Sequence, residues 1–238
     1  MKPLRLVKYC VLPLALLSAI DTTAQYSAFS QVYQPGSKLF VHALQGLSLR
    51  IDSDLKAKAI KVVPFGAEVE VVSDPKPKEQ ITNSNILGTW VKVKHGTDNG
   101  YMFDGFLSRL KSMDLPKHER YPSELIDYLK LIYKVEIDTD KSPNPSYIEY
   151  RSIEFTNGVE YESKSYEGGV VFIVNFPTAL ITFQEVYLLA RVAYPEIFKA
   201  NDCPYQAENM TCDIDDGLKS LELKILGDHY SMFYGIAD

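Results

Sequence analysis

Between residues 39 and 110 apolar and polar positions alternate with the period of a β-strand, broken at short intervals by residues that favour turns. Leu47-Ser48-Leu49-Arg50 alternates as a strand with one buried face requires. Val69 and Val71 alternate with Glu68 and Glu70, and in the run that opens at Trp90, Val91 and Val93 are separated by Lys92 and followed by Lys94. Pro64-Phe65-Gly66 breaks the chain after Ile60-Lys61-Val62-Val63, with Gly66 free to take a positive φ. Residues 95–100, His-Gly-Thr-Asp-Asn-Gly, predict a hairpin loop leading into Tyr101-Met102-Phe103. Gly105-Phe106-Leu107-Ser108 follows.

The period changes beyond residue 121. Residues 111–121 are polar, carry Pro116 and His118, and predict a linker. From Ser123, a candidate N-cap, Leu125, Ile126, Leu129, Ile132 and Tyr133 fall on one helical face that should pack against a sheet. Residues 147–155, 159–166 and 170–176 predict three antiparallel strands, with Asn157-Gly158 as a tight turn. The run from Val170 to Val174 is apolar without alternation, which predicts a central strand covered on both faces. Thr182-Phe183-Gln184-Glu185 is a capping box, and Phe183, Val186, Tyr187, Ala190 and Tyr194 form the buried stripe of a second helix ended by Pro195. Leu221, Leu223 and Ile225 alternate with Glu222 and Lys224, and Gly227-Asp228 turns the chain into 229–236, a last hairpin. The fold class expected is mainly β plus α+β. A small β unit over 39–110 precedes an α+β domain over 122–238 with an antiparallel sheet and two helices, a division that 238 residues accommodate.

The ordered string of signals in 39–110 resembles the bacterial SH3-like domain family. The resemblance covers under a third of the chain and rests on the order of the pieces. It implies a small barrel of short strands, which in exported bacterial proteins usually binds a peptide or cell-wall component without converting it. Two stretches depart from the family pattern. Ile51-Asp52-Ser53-Asp54 replaces the Ser-Gly-Pro-Ser turn common after the arginine, and residues 73–87, with Pro75, Pro77 and Asn83 to Asn85, form a longer polar loop. By the resemblance, the binding surface is the 49–59 loop with Asp52 and Asp54, the loop after Ser73, and the rings of Trp90, Tyr101 and Phe103. The plainer roles are a core anchor for Trp90 and a solvated insertion for the long loop.

The first residues have the layout of a secretory signal. Lys2, Arg5 and Lys8 precede an apolar core over 11–20, and Thr22-Thr23-Ala24 offers a cleavage point before Gln25. The core is short for a membrane span, and Cys10, between Tyr9 and Val11, is outside any lipid-attachment pattern. Residues 25–38 would form an N-terminal segment, and the protein would be periplasmic or secreted. Loss of 1–24 moves the formal charge from −6 to −8, with 22 basic against 30 acidic groups. Such a balance disfavours nucleic-acid phosphates as a partner. Cys203 and Cys212 remain, and an oxidising compartment predicts a disulfide worth about 2–3 kcal/mol. Asn209-Met210-Thr211 fits a glycosylation acceptor, which carries little meaning in a bacterium.

Catalytic signatures are sparse. The sequence has no Gly-x-Ser-x-Gly elbow, His-Glu-x-x-His helix or Gly-x-x-x-x-Gly-Lys loop. The two cysteines lie in one loop away from His42, His95, His118 and His229, which weakens a cysteine–histidine hydrolase. Glu149, Glu154, Glu160 and Glu162 lie on hairpin strands, where a glycosidase pair or a solvated face are the alternatives. Asp213-Ile214-Asp215-Asp216-Gly217 lacks EF-hand spacing, because glycine is fifth and Lys224 is twelfth. Tyr147, Tyr150, Tyr161 and Tyr166, four of sixteen tyrosines, concentrate in one hairpin, as a binding face or as cross-strand packing. The reading is therefore a non-catalytic exported binding protein that contacts a peptide, cell-wall fragment or envelope protein. It expects no cofactor, no metal, no nucleic acid and no membrane span in the mature chain. The rival readings are an inhibitor or immunity-like protein acting on another enzyme and an envelope hydrolase with a carboxylate site.

Overall fold

In a computed structural model the alternating runs become strands that pair antiparallel throughout. The structure describes residues 33–73, 80–84, 86–114, 123–200, 203, 209–214 and 217–237. The expected signal segment, residues 25–32, Pro75, Pro77, Asn85, most of the linker with Pro116 and His118, and Asp215 and Asp216 lie outside the described residues.

The N-terminal strands are β1 (Lys38–Val41), β2 (Leu47–Arg50), β3 (Ala59–Val63), β4 (Glu68–Ser73), β5 (Ile81–Asn83), β6 (Ile86–Gly88), β7 (Trp90–His95), β8 (Asp98–Phe103) and β9 (Leu107–Ser108). A 3-10 turn, Asp104–Phe106, separates the last two. Seven of these strands form one sheet in the order β3-β2-β8-β7-β4-β1-β9, and β5 pairs with β6 alone. Leu47, Leu49, Val69, Val71, Val91 and Val93 are buried as the alternation requires. Gly66 turns the chain at φ +78. The β7–β8 hairpin is tighter than expected. His95 pairs with Asp98 across a two-residue turn, so Asn99 and Gly100 belong to the strand. The end strands β3 and β9 are not paired with each other, so the sheet is open and the closed barrel implied by the resemblance is not shown.

The C-terminal half contains α1 (Ser123–Ile132), β10 (Val135–Thr139), β11 (Glu149–Phe155), β12 (Glu160–Tyr166), β13 (Gly169–Pro177), α2 (Phe183–Ala193), α3 (Pro195–Ala200), β14 (Asn209–Ile214), β15 (Lys219–Leu226) and β16 (His229–Ala237). Its sheet has seven strands in the order β10-β11-β12-β13-β16-β15-β14. Two of these strands and one of the three helices go beyond the sequence expectation. Pro195 ends α2 but also opens α3, because the fixed φ and missing N–H of proline suit a first helical residue. In β14, Met210, Cys212 and Ile214 are buried between exposed Asn209, Thr211 and Asp213, an alternation obscured by the surrounding polar residues. Strand β10 is an edge whose Asp138 receives Lys130 from α1 and Arg151 from β11.

Strand β13 is central as expected, but it is covered on one face. Val174 and Phe176 are buried, whereas Val171 and Ile173 on the opposite side are only half covered. Helix α2, expected to bury one stripe, is buried nearly all round. Cys203 and Cys212 are disulfide-bonded with Cα atoms 6.0 Å apart. Among the described residues no helix is long and apolar enough to cross a membrane.

The two sheets share one hydrophobic core, and α2 lies where they meet. The capping box is complete: the Glu185 amide donates to Thr182 Oγ1 and Thr182 N donates to Glu185 Oε2. The same carboxylate reaches the end of the first sheet. Its Oε1 accepts from Arg109 N at 2.8 Å and Arg109 Nε at 3.0 Å, and Oε2 accepts from Arg109 Nη2 at 2.6 Å. Ser108 Oγ donates to Oε1 at 3.3 Å. One residue earlier, Gln184 Nε2 donates to Asp104 O at 2.8 Å. Tyr128 Oη on α1 donates to Lys111 O at 2.5 Å. Nearby, buried His42 contacts Leu110 O through Nε2 at 3.0 Å, and burial holds its pKa below the usual histidine value.

Burial alone would push the Glu185 carboxyl up, but the hydrogen bond and charge of Arg109 and the backbone N–H donors hold it below 4.5. Glu185→Gln is expected to cost about 2–4 kcal/mol of folding stability, because it leaves buried donors without their anion. The loss should be full above pH 4.5 and should shrink as the pH falls through the lower folded-state pKa, where the native carboxyl itself becomes protonated. Denaturant melts of both proteins across that interval measure it. An unchanged difference at acid pH would show that the anionic form is not what stabilises the junction.

Candidate functional site

Beside α2 the two halves enclose a cleft of about 430 Å³. One wall comes from the first sheet. Trp90 pairs with Phe103, and Lys92 with Tyr101, which puts these four side chains on the strand face opposite fully buried Val91, Val93 and Met102. Trp90 and Phe103 meet edge to face at 6.4 Å between ring centroids, and Phe103 meets Phe106 at 6.0 Å. The 3-10 turn that presents Phe106 is held by Asp104, whose carboxylate accepts from Thr89 N at 2.6 Å and Thr89 Oγ1 at 2.7 Å.

The rim is cationic. Arg50, at the end of β2, donates to Ala57 O at 2.6 Å and so braces the turn over 51–58. Arg191, two turns into α2, packs its guanidinium over three rings, 5.7 Å from the centroids of Phe106 and Tyr187 and 5.3 Å from that of Phe198. It also donates to Tyr187 Oη at 3.2 Å. Lys199 of α3 is exposed at the edge. Among the described residues Arg50, Arg191 and Lys199 form no ion pair and no carboxylate lines the cleft.

The residues expected at the site separate here. Trp90 and Phe103 line the cleft but are only 8% and 1% exposed, so they act as wall more than as contact surface. Tyr101 is half-buried outside the cleft, with Lys92 Nζ 5.9 Å above its ring. Asp52 and Asp54 are exposed and serve their own turn, accepting from Ser53 N and Lys56 N, each at 2.7 Å. Leu55 from the 49–59 loop and Asn83 and Ser84 from the long loop do reach the cleft. Phe106, Arg191 and Lys199 were missed as site residues. The available signal was a charged residue inside the apolar stretch Val186 to Ala193, where Arg191 follows Leu188-Leu189-Ala190.

A larger cleft, about 730 Å³, lies on the second sheet and is lined in part by Tyr150, Tyr161 and Tyr166. Its cations are already satisfied. Arg151 and Lys130 pair with Asp138, holding that carboxyl at about 2, and Lys164 pairs with Glu162 at 2.6 Å. Tyr147 stacks on Tyr150 at 6.1 Å, which is the packing alternative for these rings. Glu154 and Glu160 face each other across β11 and β12 on an exposed side of the sheet, with Glu162 beside them. Glu149 lies at the far end of β11. Among the described residues no three His, Cys, Asp or Glu side chains group as metal ligands. No family model, curated protein or solved structure matches the chain.

The position of Arg50 depends on Gly100, since a Cβ there would lie 2.5 Å from Arg50 O and 3.0 Å from Leu49 Cγ. Gly100→Ala is expected to push β2 from β8, to destabilise the fold by about 1–3 kcal/mol and to displace the Arg50 side of the rim. Denaturant melts and the Arg50 amide resonance report the two effects. An unperturbed Arg50 signal would show that this close approach does not set the rim.

Proposed function

We propose that this chain is an exported, non-catalytic binding protein whose SH3-like N-terminal portion contacts a peptide, cell-wall fragment or envelope protein. The cleft between the first sheet and helices α2 and α3 is its binding surface. The observation that carries this reading is the convergence of the 49–59 loop, the long loop, Trp90 and Phe103 on one concave space that also gathers unpaired cations. The volume suits a small ligand or one segment of a larger one, since ligand pockets span about 300–1,000 Å³. Rigid aromatic walls favour binding because little side-chain freedom is lost when a ligand enters. Export rests on the basic and apolar layout of residues 1–24 and on the paired cysteines, which suit an oxidising compartment.

A second reading, an inhibitor of a basic enzyme, has its own support. Glu154 and Glu160 stand opposed on an exposed sheet face and form no ion pair among the described residues. There, binding would weaken steeply with salt and would not involve the cleft.

The test is sedimentation of the full chain with peptidoglycan and with envelope extract. Saturable binding is expected, falling roughly tenfold or more in Ser48→Trp, which fills the cleft from half-exposed Ser48. Absence of saturable binding to either material removes the proposal. Binding that survives Ser48→Trp and fails in Glu154→Lys moves the activity to the outer face of the second sheet.

A further inference from the structure

We propose that the cleft between the first sheet and helices α2 and α3 selects a ligand carrying a carboxylate beside an apolar or aromatic group. This rests on the reading of the cleft as the binding surface and adds the chemistry that the surface recognises. The chain as a whole is acidic, with a formal charge of −6, yet among the described residues the lining of this cleft holds three cations and no acidic side chain. Elsewhere among the described residues seven of the fifteen Lys and Arg side chains have carboxylate partners, among them Lys38–Glu68, Lys61–Asp98, Lys130–Asp138 and Lys164–Glu162. Arg50, Arg191 and Lys199 come from three different elements and converge with none.

Arg191 is also preorganised. The rings of Phe106, Tyr187 and Phe198 surround its guanidinium at 5.3–5.7 Å, and the bond to Tyr187 Oη uses one of its five N–H donors. Tyr187 is fixed in turn, since its hydroxyl donates to Cys203 O at 3.3 Å, next to the disulfide. A planar fork held in this way matches the two oxygens of a carboxylate. Phosphate would satisfy the same fork. The walls decide between them: exposed Leu44 and Leu55, with the nearly buried rings of Trp90 and Phe106 behind them, make an apolar lining, where a singly charged group is less costly to desolvate than a doubly charged one. A ligand that places an apolar group against Trp90 and Phe106 and a carboxylate toward Arg191 uses both features.

The probes are 3-phenylpropionate and its uncharged amide, titrated into the full chain while backbone and arginine Nε–H resonances are followed. The acid should shift the Arg50 and Arg191 Nε–H signals saturably and bind roughly tenfold tighter than the amide, a difference that salt reduces. Lys199→Gln, at an exposed position that leaves folding intact, and Arg191→Gln, which keeps the aliphatic stem, should each bring the acid toward the amide and leave the amide unchanged. Equal affinities for acid and amide at the cleft would overturn the carboxylate assignment and leave the cleft as a binding site. If neither probe perturbs the cleft residues, the underlying reading of the site falls too.

Discussion

The buried carboxylate of Glu185 is the constraint on which the arrangement of this protein depends. It is 1% exposed, and an anion taken so far from water costs several kcal/mol unless donors replace its hydration. The donors come from two distant parts of the chain. Thr182 supplies the helix cap, and Ser108 and Arg109 come from the last residues of the first sheet. Apolar packing between the sheets tolerates small slides, whereas this set of hydrogen bonds does not. A shift that breaks the Arg109 contacts leaves a charge buried without compensation. The capping box therefore does more than start a helix: it fixes where α2 begins relative to β9.

That register determines the cleft. Arg191 lies six residues beyond Glu185, about 9 Å along the helix axis at 1.5 Å per residue. Fixing the helix start therefore places the guanidinium against Phe106, which the Asp104–Thr89 bonds hold from the other side. The bond from Gln184 to Asp104 O ties the two supports together. Of the rim cations, Arg191 is positioned by this junction, whereas Arg50 is set within the first sheet by the close approach of Gly100 and its bond to Ala57 O.

Much of the secondary structure was legible in the sequence because each signal is local. Period-2 alternation marked β2, β4 and β15, Pro64-Phe65-Gly66 and Asn157-Gly158 marked turns, and Thr182 to Glu185 marked the start of α2. The features that escaped depend on tertiary context. Strand β10 reads weakly because three of its five residues are exposed and its ends rest on ion pairs with α1 and β11. Helix α2 carries one strong stripe in sequence, yet a second sheet covers the remaining sides, which no period along eleven residues encodes. Trp90 followed directly by Val91 was the local trace of a strand covered on both faces. Asp52 and Asp54 are exposed and outside the cleft lining, and their carboxylates accept from nearby backbone N–H groups, a turn role that the sequence pattern does not distinguish from ligand contact.

The two clefts show how charge separates a site from a packing hollow when aromatic content does not. Both hold several rings. In the cleft on the second sheet Arg151 and Lys164 each have a carboxylate within 3.0 Å, so an anionic ligand would have to displace an existing partner before gaining anything. In the cleft beside α2 no such competitor lies among the described residues, and the guanidinium of Arg191 is steadied by aromatic faces, which attract a cation without neutralising it. The Cys203–Cys212 bond adds to this from a distance. Cys203 O anchors Tyr187, and Tyr187 anchors Arg191, so a covalent tie between the segment after α3 and β14 reaches the rim through two hydrogen bonds. In an acidic chain, a cationic hollow supported by a disulfide, a buried carboxylate and a braced turn is a place where folding free energy maintains an unneutralised charge.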